Sequence, residues 1–329
     1  MINEICSEFK SGKNIKADSI SENGEYPVFG GNGLRGYTAS YNHEGLYVLI
    51  GRQGALCGNV RSVNGKTYIT EHAIAAAGNE KSNTSFLHYL FLKMNLGQYS
   101  DQSAQPGLAV NKLLKLEVSL PTISEQKKIA KLLSLLDERI TTQNKIIDKL
   151  QSLIKGIGKQ LFMDNQNWRT VKIGELLRIG NGKDYKHLCI GKIPVYGTGG
   201  QMLLVNDYLY DGESVCIGRK GTIDTPMFLK GKFWTVDTLF YTYDFKDVLP
   251  KFCYYLFLQI NWKLYNEGTG VPSLSKSTIE NIKVKIPSLE QQQKICSILD
   301  CYEHKTNNEE QILELYHSEK QYLLRQTFI

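Results

Sequence analysis

The sequence predicts two mixed α/β units, each followed by a long helix, and three observations lead there. The first is the stretch 124–163, which has no proline and holds glycine only at Gly156 and Gly158. Within it Leu133, Ile140, Ile147, Ile154 and Leu161 recur every seventh residue, and Leu136, Gln143, Leu150 and Ile157 do so three residues further on. That is a heptad seam, apolar at every position but Gln143. The second is the stretch 290–329, which aligns with the first. The third is an ordered set of matches that divides almost the whole chain into two halves.

Those matches run in one order at an offset of about 166 residues: 26–30 (YPVFG) with 193–197 (IPVYG), 51–54 (GRQG) with 218–221 (GRKG), and 86–92 (FLHYLFL) with 252–258 (FCYYLFL). Gln105-Pro106-Gly107-Leu108 stands where Gly270-Val271-Pro272-Ser273-Leu274 stands in the second half, and SLPTISEQKKIAKLL matches KIPSLEQQQKICSIL. The period is too long for a solenoid. It marks a duplicated unit of roughly 120 residues plus one helix.

Within each unit, β-rich runs such as LYVLIG and ESVCIG end in glycine turns and predict strands. The runs FLHYLFLKMN and FCYYLFLQIN predict buried amphipathic helices. Pro121 and Pro287 each lie just ahead of a long helix, where a helix cannot readily extend backwards, and Ser124 is the expected N-cap. The expected segments are 1–120, 121–163, 164–286 and 287–329: unit, helix, unit, helix.

A helix of forty residues spans about 60 Å, and so long and narrow a stripe calls for one partner helix rather than a globular core. The two stretches complement each other in charge. Residues 124–163 hold eight Lys/Arg against four Asp/Glu, and residues 290–329 hold four against seven. The second seam is weaker: Leu299, Thr306 and Leu313 at one position, Tyr302, Glu309, Tyr316 and Leu323 at the other. Gln143, Thr306 and Glu309 are expected to form a polar stretch near mid-coil that fixes register.

Bulk composition sets further bounds. The 329 residues exceed one typical domain, and their 42% hydrophobic content suffices for sizeable cores. No apolar run reaches the ~18–20 residues needed to cross a membrane, and the opening MINEICSEFK is polar, which excludes a signal peptide. The seven cysteines form no CxxC pair and no zinc spacing, so they read as reduced thiols of a cytoplasmic protein. The net charge of +6 permits nucleic-acid binding without demanding it.

Several motifs fail on context. Gly31-Asn32-Gly33-Leu34-Arg35-Gly36 fits GxGxxG but is followed by Tyr37-Thr38-Ala39-Ser40-Tyr41-Asn42, which does not open a helix, so dinucleotide binding is not expected. Gly65-Lys66-Thr67 ends like a P-loop, but Val60 stands where its first glycine belongs. No Asn-Pro-Pro-aromatic methyltransferase motif occurs, and the six histidines show no metal spacing. The expectation is a chain without catalysis.

The ordered set resembles the specificity subunit of type I restriction–modification systems (HsdS). The matching residues are YPVFGGNGLRGY, GRQGALCGNV and LPTISEQKKIAKLLSLLDERI in the first half, and IPVYGTGGQ, GRKGTIDTP and IPSLEQQQKICSILD in the second. The resemblance implies an α+β fold: two target-recognition domains, at 1–120 and 164–286, joined by two long helices forming an antiparallel coiled coil. It implies a non-catalytic subunit whose domains each read one half of a bipartite DNA target, while the helices set the spacing and dock methyltransferase subunits. Two methyltransferase subunits and the motor/nuclease subunits would be the partners. S-adenosylmethionine, Mg²⁺ and ATP would belong to those partners, with no cofactor in this chain. The second unit opens with the Trp168-Arg169-Thr170-Val171-Lys172-Ile173-Gly174-Glu175-Leu176 lead that the family has in both units; the first starts at Met1-Ile2-Asn3-Glu4-Ile5-Cys6, so that lead is expected to be missing there. The alternatives are a recognition fragment of a single-chain methyltransferase or restriction enzyme, and a coiled-coil scaffold without a DNA role.

Recognition chemistry then falls on polar side chains in glycine-rich loops. Arg52 and Gln53 lie between glycines, as do Arg219 and Lys220. A glycine-flanked turn brings backbone close to a phosphate, while Arg suits guanine and Gln suits adenine in the major groove. Asn32, Arg35 and Gln201 stand in loops of similar character, and Lys112 and Lys276 follow the Pro/Gly segments near the close of each unit. Arg52 and Arg219 read equally well as scaffold, holding their loops through internal salt bridges. Residues that differ between halves, such as Gln53/Lys220 and Arg35/Met202, are expected to carry the choice of sequence.

Overall fold

A computed structural model of the chain describes residues 1–101, 106–163 and 167–328. Gln105 of the matched Pro/Gly segment lies outside them. The chain forms two compact units that cut across the segments read from sequence. One is Met1–Asn144 together with the end of the chain from Gln311; the other is Lys145–Glu310. Each unit therefore owns one stretch of each long helix.

The first unit opens with α1 (Ile2–Ile5), followed by β1 (Cys6–Ser11), β2 (Tyr26–Gly30), β3 (Gly33–Thr38), β4 (His43–Glu44), β5 (Tyr47–Gly51), β6 (Val60–Val63), β7 (Lys66–Ile69) and β8 (Ala73–Gly78). Its helices are α2 (Thr84–Met94), α3 (Val110–Leu113) and the opening of α4 (Ile123–Met163). Two four-stranded sheets result, in the orders β1-β8-β5-β6 and β3-β2-β7-β4. The apolar positions of β1, β5 and β8 face α2. Val48, Ile50, Ile74 and Ala76 from the strands and Phe86, Leu87 and Phe91 from the helix fill one core at 0–1% exposure.

The second unit repeats the plan with β9 (Arg169–Lys172), α5 (Ile173–Leu176), β10 (Arg178–Asn181), β11 (Ile190–Gly197), β12 (Gly200–Val205), β13 (Tyr210–Gly218), β14 (Met227–Thr235), β15 (Leu239–Tyr243), α6 (Pro250–Gln259), α7 (Lys276–Asn281), β16 (Lys283–Ile286) and the opening of α8 (Leu289–Thr327). Here the main sheet has six strands, in the order β10-β15-β13-β14-β11-β12, and β9 pairs with β16 alone. The difference lies in whether the chain breaks between two strands or runs through as one. Gly231 lies inside β14 at φ +85°, opposite Gly212, and the strand runs through. Its counterpart Gly65, at φ +92°, sits in the turn that separates β6 from β7 and exchanges backbone hydrogen bonds with Gly45. Both positions lie in the left-handed region that glycine tolerates at no steric cost.

The helices obey their heptads. Leu133, Leu136, Gln143, Ile147 and Leu150 are buried at 1–7% exposure, as are Leu299 and Thr306, and the remaining seam positions of both helices are half-buried. In the first unit Asp137 of α4 pairs with Lys320 of α8, and Leu133 shares a core with Leu324. In the second, Ile157, Leu161 and Phe162 of α4 pack into the core that holds Ile295 and Leu299 of α8. Early α4 thus meets late α8 in one unit, and late α4 meets early α8 in the other, so the helices run antiparallel. Ser124 is not the cap of α4. Thr122 is: its N–H donates to Glu125 Oε2 (2.9 Å) and its Oγ1 accepts from Glu125 N (3.4 Å), a capping box two residues earlier.

Candidate nucleic-acid interface

The GRxG segments are built by two different glycine requirements. A Cβ on Gly51 would lie 2.4 Å from Leu56 O, and one on Gly218 would lie 2.0 Å from Thr222 O, so only glycine fits where backbone crosses backbone. Gly54 and Gly221 take φ +83° and +89°. Between these fixed points the Arg is clamped on both sides. Arg52 N donates to His72 O (2.9 Å) and Arg52 O accepts from Leu108 N (2.8 Å); Arg219 N donates to Thr238 O (2.8 Å) and Arg219 O accepts from Leu274 N (2.9 Å). Gly54 N and Gly221 N close the same loop onto Pro106 O and Pro272 O at 3.1 and 2.9 Å.

Further loops join this clamp. Gly12 N bonds Ala73 O and Gly182 N bonds Leu239 O, at 3.0 and 3.2 Å. The β2–β3 turn lies directly on the Arg52 segment: a Cβ on Gly31 would be 2.7 Å from His72 O and 3.6 Å from Arg52 N. In the second unit Thr198 Oγ1 takes the corresponding place beside Gly221. The GxGxxG run is this hairpin, a turn leading into β3 with no helix after it.

The clamp fixes the arginine backbones and leaves the heads free to act. Arg52 is half-buried, with Nη1 at 3.5 Å from Glu71 O, which is too long to hold it firmly. Arg219 is exposed, its guanidinium 5.9 Å from the Phe240 ring centroid. Among the described residues neither forms an ion pair, so internal salt bridges are not what holds these loops. Gln53 Oε1 meets His72 Nδ1 at 3.0 Å, while Lys220, its counterpart, is exposed.

Asn32 is exposed in the β2–β3 turn and Gln201 is exposed on β12. Arg35 crosses over Gly30, where a Cβ would meet its Cδ at 2.9 Å; Met202 crosses over Gly197 with Sδ at the same distance. The two side chains therefore occupy equivalent places. The fold brings Asn32, Arg35, Arg52 and Gln53 together in one unit, and Gln201, Arg219 and Lys220 in the other. Lys112 and Lys276 stand at the flank and are not equivalent: Lys112 is third in α3 and pairs with Asp101, whereas Lys276 opens α7, two residues after Leu274.

Three cations of this region escape a motif search. Exposed Lys13 and Lys183 follow Gly12 and Gly182 and are tied in by backbone bonds to Ile69 O (3.0 Å) and Thr235 O (2.8 Å). The repeated Gly-Lys pair is a signal the sequence does carry. The Arg61 guanidinium lies over Gly33, 2.4 Å from where a Cβ would be. That contact spans two strands and leaves no local signature.

The family described as "Type I restriction modification DNA specificity domain" matches residues 1–152 and 165–315. The Escherichia coli type I restriction enzyme EcoprrI specificity subunit is 45% identical over 145 residues, 43% of this chain and 35% of that one. This chain thus spans about a third of that relative's length. A putative type I restriction enzyme specificity subunit of Haemophilus influenzae is 26% identical over 343 residues, covering 93% of this chain and 88% of its own. Two solved structures share the fold. One is the S subunit of a type I restriction-modification system from M. genitalium, with TM-score 0.73 at 19% identity over 100% of this chain and 95% of that one. The other comes from a study of complex assembly and conformational transition of the type I R-M system, with TM-score 0.61 at 14% identity over 99% of this chain and 96% of that one. A duplicated α+β unit, paired long helices and a family match in both halves lead to one conclusion: this chain belongs to the type I restriction modification DNA specificity domain family.

Proposed function

We propose that this chain selects the DNA target of a type I restriction–modification complex, each unit reading one half of a bipartite site, and that it transfers no group itself. The observation that carries this reading is the clamp that recurs at Arg52 and Arg219: a fixed backbone presenting a cation that forms no ion pair among the described residues, once in each unit. Backbone rigidity supplies register and the side chains supply base choice. Side chains that differ at equivalent places, Arg35 with Met202 and Gln53 with Lys220, suit two different half-sites. The paired helices offer the surface on which two methyltransferase subunits dock, with the motor/nuclease subunits joining them. S-adenosylmethionine, Mg²⁺ and ATP then act on those partners.

The test is the methylome of a host expressing this chain with its methyltransferase subunits. A bipartite motif is expected. Replacing residues 168–286 with the equivalent part of a relative should alter one half of it and leave the other. Unchanged methylation would refute the reading; changes in both halves would mean that the units read DNA jointly.

A further inference from the structure

The space bounded by β6, α2 and α4 in the first unit corresponds to that bounded by β14, α6 and α8 in the second, and the two are filled differently. In the second unit a cation of the chain occupies it. Lys251 Nζ lies 2.7 Å from Glu303 and 3.6 Å from Asp300, with the rings of Phe228, Tyr254 and Tyr255 at 4.7–5.1 Å. The repeat gives the counterparts on α2 and α4 directly: Ser85 for Lys251, His88 for Tyr254, Ser134 for Asp300 and Asp137 for Glu303. On the strand, Ser62 pairs with Val48 as Phe228 pairs with Val215, so a hydroxyl stands for a ring. The first unit thus lacks the ammonium, one carboxylate and the phenylalanine, and a cavity of about 570 Å³ lies there.

The charges around this cavity suit an anion. Asp137 is already neutralised by Lys320 and accepts from the Tyr89 hydroxyl at 2.9 Å. Lys127 and Lys131, one turn apart on α4, line the cavity, are exposed and form no ion pair among the described residues. Their counterparts in the second unit, Gln293 and Ser297, carry no charge. Ser62 and Ser85 add hydroxyls. His88 adds an imidazole whose Nδ1 is buried without a hydrogen-bond partner among the described residues. Leu46, Val60 and Ala130 supply an apolar wall.

We propose that this cavity binds a small organic monophosphate, its phosphate held by Lys127, Lys131 and the serine hydroxyls and its body laid against Leu46, Val60 and Ala130. Two ammonium groups match the near-double charge of a phosphate monoester, whereas a carboxylate would leave one unanswered. The volume is that of a small-molecule pocket rather than of a bare ion, and an apolar wall with a few polar groups is the usual make-up of such a site. None of the residues that hold the phosphate belongs to the Arg52 clamp.

Isothermal titration of the full chain at fixed ionic strength with phenyl phosphate, inorganic phosphate and benzyl alcohol tests this. Phenyl phosphate should saturate a single site, about tenfold more tightly than either of the others, because only it engages both the cations and the apolar wall. Lys127→Gln combined with Lys131→Ser introduces the side chains of the second unit and should weaken binding about tenfold or more. Ser85→Lys combined with Ser134→Asp fills the cavity with the second unit's own cation and carboxylate and should abolish binding. Thermal melts of both double variants establish that the fold is kept. Absence of saturable binding, binding that the Lys127→Gln/Lys131→Ser variant leaves unchanged, or inorganic phosphate as tight as phenyl phosphate would each overturn the proposal. So would competitive displacement of phenyl phosphate by duplex DNA, which would make the two lysines part of the DNA interface. Neither methylation nor sequence selection is read, so the outcome is separate from that of the specificity reading.

Discussion

The Tyr255 hydroxyl of α6 donates to Asp300 Oδ1 of α8 at 2.6 Å. Tyr89, its counterpart on α2, donates to Asp137 Oδ2 of α4 at 2.9 Å. The duplicated tyrosine fastens each unit's sheet-covering helix to a long helix, yet the acceptors differ by a turn, since Asp137 corresponds in the repeat to Glu303 and not to Asp300. Glu303 is used otherwise: with Asp300 it flanks Lys251, at 2.7 and 3.6 Å. The Lys251 ammonium also sits 4.7–5.1 Å from the rings of Phe228, Tyr254 and Tyr255. Burial and the Asp300 bond hold the Tyr255 hydroxyl far above the ordinary phenol range. Tyr255→Phe should cost about 1–2 kcal/mol, the size of a hydrogen bond to a charged group at a partly exposed site. Lys251→Met should cost a similar amount by leaving two carboxylates together, and the double variant should cost less than the sum. Urea unfolding of the three variants measures this.

Gln126 and Gln292, which occupy equivalent positions of the repeat, are both fully buried. Gln126 Oε1 accepts from Asn83 N (2.8 Å), and its Nε2 donates to Lys81 O (3.0 Å) and Pro121 O (2.9 Å). Gln292 repeats all three bonds with Leu249 N, Asp247 O and Pro287 O, at 2.8, 2.9 and 3.1 Å. Each side chain satisfies the N-terminus of one helix and the loop leading into another. Gln126→Leu and Gln292→Leu should each destabilise by about 3 kcal/mol, because they strand buried backbone groups. Loss of less than about 1 kcal/mol in a chemical melt would mean that water replaces the amide.

His88 makes the first unit sensitive to acid. Burial pushes its imidazole down to about 4; Asp137 opposes that shift and Lys320 adds to it. Its Nδ1 is buried without a hydrogen-bond partner among the described residues. With the unfolded group at its ordinary 6.5, the unfolded chain binds more protons between pH 6.5 and about 4. This contribution is therefore fully present above pH 6.5 and is lost as pH falls towards 4. Its size is about 2–3 kcal/mol. His88→Leu should leave stability at pH 7.5 within about 1 kcal/mol of the parent and remove that share of the acid loss. Parallel urea melts at pH 7.5 and 4.5 decide it.

Arg219→Ala should weaken DNA binding by about 1–3 kcal/mol with altered discrimination at one base if the guanidinium reads a base edge. If it meets phosphate, binding should fall evenly across sequences and the salt slope should drop by about one. Unchanged affinity with a lower melting temperature would make Arg219 scaffold.

Much of this architecture was legible because its causes are local. The heptads of α4 and α8 depend on side chains three and four residues apart, and the GRxG motif on steric demands of its own glycines. The cap of α4 was legible too, but Ser124 competed with the Thr122–Glu125 pair, and a box satisfying two donors outweighs a single cap. What escaped depends on distant chain. The pairing of β9 with β16 joins residues more than a hundred apart. Arg61 reaches the hairpin from another strand, which no spacing rule detects. Lys112 and Lys276 are placed unequally because Lys112 lies four residues after Leu108 and Lys276 only two after the equivalent Leu274, so one is third in α3 and the other first in α7.

The sharpest test of base choice is Arg35 against Met202. Both side chains lie over the glycine that ends the preceding strand, Gly30 in one unit and Gly197 in the other, so backbone presentation is the same and only the chemistry differs. A guanidinium offers two parallel donors to guanine O6 and N7, whereas a thioether offers only apolar contact, suited to a thymine methyl. Arg35→Met should therefore keep the fold, since Met already fits the equivalent place over Gly197. It should relax or change preference at one position of the first half-site, with a loss of about 1–3 kcal/mol on the original sequence. The second half-site should be unaffected. Selection of bound fragments from a randomised DNA pool, run on the parent, Arg35→Met and Arg35→Lys, reads both halves at once. Arg35→Lys keeps the charge without the bidentate fork, so it should retain most non-specific affinity and lose discrimination. Identical selected sequences for all three proteins would remove Arg35 from recognition and leave the Gln53/Lys220 pair to account for the difference between the units.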